Sequence, residues 1–106
     1  MTEVYTPPAH PGEALGYELF RRGLSQAEAA RLLGISAGIL GRIMRETAGI
    51  APTVAHRLEL AGVGKAAEWL AMQNAFDLWR ASFLNYSDVQ PFPPRDVPAR
   101  DVDRSE

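Results

Sequence analysis

Between Ser25 and Ser36 the chain writes two helix starts around one helix stop. Ser25 can accept a hydrogen bond from a free helical N–H. Glu28, three residues on, can reach back to the Ser25 N–H, which completes a capping box. Ala27, Ala29, Ala30, Leu32 and Leu33 follow as strong helix formers. Gly34 tolerates the left-handed conformation that ends a helix, Ile35 fills the turn, and Ser36 caps the next helix. Two helices that cross steeply need a small residue at the crossing, and Ala30 supplies it. They also need apolar residues beyond the turn to pin the second helix on the first, and Ile35, Leu40 and Ile43 supply those. These features in one register predict a helix-turn-helix over residues 26–45 rather than an ordinary helical hairpin.

The flanking sequence adds three helices. The first starts at Pro11, where a missing N–H costs nothing. It carries Leu15, Leu19 and Phe20 at helical spacing and ends at Gly23. Gly49 interrupts the chain before a fourth helix that starts near Pro52, with Val54, Leu58 and Ala61 as its buried stripe. The last helix is expected from about Ala66 to Phe83, with Trp69, Leu70, Gln73, Phe76, Leu78, Trp79 and Phe83 on a broad apolar face. No strand pattern and no internal repeat interrupts this order. The expected fold is all-α: a five-helix helix-turn-helix domain over residues 10–84. Residues 1–9 read as a flexible leader. Residues 85–106, with Pro91, Pro93, Pro94 and Pro98 among alternating charges, read as a disordered tail.

Composition removes several function classes. There is no cysteine, hence no disulfide scaffold, zinc–thiolate site or cysteine nucleophile. His10 and His56 lie in separate segments with no metal-ligand spacing; they read as part of the first helix start and the surface of the fourth helix. No Ser-His-Asp order and no phosphate-cradling glycine loop appears. The chain is therefore not expected to be an enzyme or to hold a cofactor or metal. No apolar run approaches the roughly 18 residues of a membrane span, and no secretory leader is recognisable. A cytoplasmic protein with no membrane partner is expected.

Charge gives a nucleic-acid partner little help, because the formal net charge of −2 attracts no phosphate at long range. The acidity sits toward the ends. Residues 25–83 carry six cations against five anions, whereas the tail from Leu84 carries three against five. Any contact with duplex DNA rests on a few local groups. In a helix-turn-helix the second helix enters the major groove and the first spans the backbone. The positions expected to face DNA are Gln26, Ser36, Ala37, Gly38, Gly41, Arg42 and Arg45. Arg42 and Arg45 match guanine or phosphate, Ser36 can hydrogen-bond either, and Ala37 offers a thymine-methyl contact. Gln26 and the N–H groups at the start of its helix can meet a phosphate.

Around this motif the chain resembles the HigA family of antitoxins, within the phage-repressor-like helix-turn-helix (XRE) group. The resemblance rests on His10-Pro11-Gly12-Glu13, Gly23-Leu24-Ser25-Gln26, Leu33-Gly34-Ile35-Ser36, Arg42-Ile43, Gly49-Ile50 and Ala55-His56-Arg57-Leu58. Trp69-Leu70-Ala71-Met72-Gln73 and Asp77-Leu78-Trp79 extend it through the last helix. It implies a compact, five-helix lambda-repressor-like fold and a dimer that binds a palindromic operator and represses its own toxin–antitoxin operon. It also implies a cognate toxin, a HigB-like mRNA interferase, that the protein neutralises.

The departures from the family fall where DNA is read. Ala37, Gly38 and Ile39 stand where polar residues are usual, Gly41 replaces a serine or threonine, and Glu46 follows Arg45. Two readings follow. In one, the chain holds its operator through backbone contacts, Arg42, Arg45 and DNA shape. In the other, it keeps the scaffold and toxin binding without sequence-specific recognition. Trp69, Phe76, Trp79 and Phe83 are the candidate dimer seam, with core packing as the alternative, above all for Trp69; the later residues are expected nearer the seam.

Overall fold

The structure, a computed structural model, describes residues 6–95. Among these residues all regular structure is helical: α1 Pro11–Arg21, α2 Gln26–Leu33, α3 Ala37–Met44, α4 Pro52–Leu60 and α5 Ala66–Ala81. The first five leader residues and residues 96–106 of the expected tail lie outside the described residues.

Local chemistry sets the helix starts. His10 caps α1, its Nδ1 accepting the Gly12 N–H at 2.9 Å, and Pro11 occupies the first turn. Ser25 and Glu28 form the reciprocal capping box of α2 at 3.1 and 2.9 Å. The Ser25 hydrogen bonds hold the Glu28 carboxyl below its ordinary pKa, as expected for an anion that accepts an N–H. Ser36 caps α3 by accepting the Ile39 N–H at 3.0 Å. Gly34 ends α2 at φ 73°. A side chain there would also meet the Arg57 guanidinium at 2.7 Å, and that group donates to the Leu33 carbonyl at 3.0 Å. One glycine thus serves both the left-handed turn and a tie from α4 to the C-terminus of α2.

The core gathers Leu15 and Leu19 of α1, Ala29, Ala30 and Leu33 of α2, Leu40 and Ile43 of α3, Ile50, Val54, Ala55 and Leu58 around α4, and Trp69 of α5. Helix α1 packs on α3 and α5, α2 on α3 and α4, and α4 on α5. At the second position of α1 only glycine fits, because a Cβ at Gly12 would stand 2.1 Å from the Ile43 carbonyl oxygen of α3. Two polar side chains pin loops to this core. The Gln73 amide oxygen accepts the buried Ile50 N–H at 2.8 Å, and the Trp69 indole N–H donates to the Val63 carbonyl at 2.6 Å.

Several sequence expectations are corrected. Phe20 is 80% exposed rather than buried, because its neighbour Leu19 takes the core-facing position. Ala61 is the exposed C-cap of α4, and Ala55 joins Val54 and Leu58 in its buried stripe instead. Helix α5 stops at Ala81, short of Phe83. Trp69 is only 4% exposed inside its own chain, so it belongs to the core and not to the face left open for a second copy. Residues 85–95 contain no helix and are exposed, as expected of the tail. The Tyr86 hydroxyl donates to the Ala81 carbonyl at 2.5 Å, and a turn closes the Val89 N–H onto the Tyr86 carbonyl.

Candidate nucleic-acid interface

Helices α2 and α3 meet where Ala30 is buried, with Leu40 and Ile43 fully inside, as the crossing requires. Burying Leu40 and Ile43 fixes the rotation of α3 and leaves Ala37, Gly38, Arg42 and Arg45 exposed on its other side. Ser36 stands exposed at the N-terminus. Its oxygen is engaged by the Ile39 N–H, so the hydroxyl proton remains to be donated outward. Gln26 is exposed at the first position of α2, and its amide donates to the Ala37 carbonyl at 3.4 Å, across the start of α3. Six of the seven positions expected to face DNA therefore share one exposed surface.

Gly41 does not share it. It is buried, because Gln26 and Arg45 lie over it; a Cβ at Gly41 would come 2.8 Å from Gln26 Nε2 and 3.1 Å from Arg45 Nη1. The sequence held one clue to this. Residues 37, 41 and 45 form a single i, i+4 row on α3, and the row reads Ala, Gly, Arg, with its small members leaving space for a neighbouring helix.

The electrostatics of the surface are simple. Among the described residues, the ion pairs join Arg21 and Arg22 to Glu18 on α1, at 3.3 and 3.1 Å. Neither Arg42 nor Arg45 is held by a carboxylate there, and both residues are exposed. Glu46 follows directly. It is exposed and sits at φ 64°, the one non-glycine residue in the left-handed region among the described residues. Sequence reasoning placed a carboxylate at this edge but carried no signal for its backbone conformation.

The far half of α5 forms a second surface. Phe76 packs edge-on against His10 at 4.9 Å, Trp79 lies 5.9 Å from Phe76, and Phe83 stands edge-on to Trp79 at 5.2 Å. Phe76 and Trp79 are half-buried, whereas Leu78 and Phe83 are exposed. The Trp79 indole N–H is buried without a hydrogen-bond partner among the described residues. No group of three metal-ligating side chains occurs among the described residues, and no helix there is long and apolar enough to cross a membrane.

No family model matches the sequence. Virulence-associated protein I of Dichelobacter nodosus is 41% identical over 73 residues, which cover 68% of this chain and 68% of that protein. Among solved structures, antitoxin GraA is 37% identical and covers 74% of this chain and 85% of its own, with a TM-score of 0.69. The Pseudomonas aeruginosa antitoxin HigA, solved with the higBA promoter, is 37% identical; the match covers 70% of this chain and 82% of that one, with a TM-score of 0.67. Both matches exceed two thirds of each chain at 37% identity. The chain belongs to the HigA-type antitoxin family of helix-turn-helix proteins.

Proposed function

We propose that the chain is a non-enzymatic repressor that binds operator DNA before its own toxin–antitoxin operon as a dimer and neutralises a cognate HigB-like mRNA interferase in the cytoplasm. Residues 10–84 are the DNA-binding and dimerisation unit in this reading. One observation carries it: Arg42 and Arg45 stand on the open face of α3 with no carboxylate partner among the described residues, beside the outward hydroxyl of Ser36 and the amide of Gln26. The P. aeruginosa relative solved with promoter DNA supports the same use of this fold.

The bare start of α3 shapes how DNA is read. Ala37 and Gly38 extend no polar group, so the helix can approach the groove floor closely, and Ala37 can touch a thymine methyl. Discrimination then comes chiefly from groove shape and from the two arginines. Fluorescence anisotropy with a duplex from the region upstream of the gene tests this. Binding should be saturable and should weaken steeply with salt. Replacing Arg42 and Arg45 together by alanine should weaken it on every sequence and flatten the salt slope by about two phosphate contacts. Equal affinity for unrelated DNA overturns specific repression.

The exposed Glu46 beside Arg45 favours a second reading, in which the chain binds toxin but no specific DNA sequence. That reading predicts a stable complex with the product of the adjacent gene and no preference for the upstream duplex.

A further inference from the structure

Glycine is a poor choice for a helix interior, yet α3 keeps one at position 41, beneath two exposed side chains. The atoms above it are both hydrogen-bond donors. Gln26 Nε2 and Arg45 Nη1 lie within 2.8 and 3.1 Å of where a Cβ would sit. They are therefore at most about 6 Å apart, the span that one acceptor can bridge with two ordinary N–H···O bonds. The Gln26 amide has only the Ala37 carbonyl, at a long 3.4 Å, and no carboxylate pairs with Arg45 among the described residues. Two converging donors, one of them charged, over bare backbone and beside the N-terminus of α2, suit a phosphate oxygen.

We propose that Gly41 is a positioning residue: its missing side chain lets Gln26 and Arg45 close over α3 into a two-donor clamp for one backbone phosphate of DNA. The proposal rests on the repressor reading above and deepens it. A serine or threonine at this position would occupy the space with its own Cβ and push the two donors apart. The clamp spans both helices of the motif, so it fixes α3 in register with the backbone that borders the groove.

The test is anisotropy of a labelled duplex from the upstream region, across a salt series. Gly41→Ala should keep or raise the melting temperature, because alanine suits a helix interior better. Its affinity should fall about tenfold at low salt, and the salt slope should flatten by about one phosphate contact. Gln26→Ala and Arg45→Ala, both at exposed positions, give a second measure that does not depend on how Gly41→Ala folds. Each should weaken binding, and the double variant should bind no more weakly than the worse single one, since either loss opens the clamp. Unchanged affinity and slope in Gly41→Ala, or additive losses in the pair, overturn the clamp and leave the repressor reading standing. Failure of the unaltered chain to bind the duplex removes both.

Discussion

Glu46 shows how one residue can set two properties against each other. Its backbone closes the end of α3, with its own N–H bonded to the Ile43 carbonyl and the Thr47 N–H to the Arg42 carbonyl. The φ of 64° that this turn requires is one glycine adopts freely and a residue with a Cβ does not. Glu46 also puts an exposed negative charge directly after Arg45 in the chain, where it weakens the local positive field that phosphate would meet. Glu46→Gly should therefore stabilise the fold by about 1 kcal/mol, read as a raised urea midpoint, and tighten DNA binding at low salt. A variant that is less stable, or that binds more weakly, would show that the glutamate holds a contact the turn needs. The caps at Ser25, Glu28, Ser36 and Gly34 were legible from sequence because a cap is made within four residues. The conformation of Glu46 was not, because no glycine marks that turn, and the burial of Gly41 was not, because it needs Gln26 of the preceding helix as well as Arg45.

At the scale of elements, the starts of the five helices follow from proline, serine and the apolar period, whereas their ends and faces follow from packing. Phe20 and Ala61 fit the period yet lie exposed, because neighbouring positions meet the core first. The family marks in α5 acquire a physical meaning here. Trp69 ties the loop before α5 through the Val63 carbonyl, and Gln73 ties the loop after α3 through the Ile50 N–H. The second tie matters more, since Ile50 is 3% exposed and its N–H has no water to turn to. Gln73→Leu keeps the volume but strands that donor, and should cost about 2 kcal/mol in chemical unfolding. The loop carrying Thr47 and Gly49 should lose amide-exchange protection before the rest of the domain. Uniform loss of protection would mean that Gln73 supports the core as a whole instead of this loop.

The molecule as a whole leaves one apolar surface without an account inside a single chain. The first half of α5 is buried through Trp69 and Gln73, but beyond Phe76 the helix leaves the core. Leu78 and Phe83 are then 63% and 71% exposed, with the unpartnered Trp79 indole between them. From sequence, four aromatics were seam candidates with core packing as the alternative, above all for Trp69, because both demand the same spacing; in the fold Trp69 is buried in its own chain, Phe76 and Trp79 are half-buried and Phe83 is exposed. Contiguous exposed apolar groups at the end of a small domain are the mark of an isologous contact. A second copy there would cover Leu78 and Phe83, offer the indole an acceptor, and set two copies of α3 at a fixed spacing for the two halves of a palindrome. Trp79→Glu should then yield monomers in light scattering. Phe83→Glu, at an exposed position beyond the end of α5, should do the same while keeping the helical circular dichroism. Both should bind the full upstream duplex about as weakly as a duplex with only one half-site, because the second recognition helix no longer arrives with the first. A dimer that survived both charges would place the seam elsewhere on the molecule.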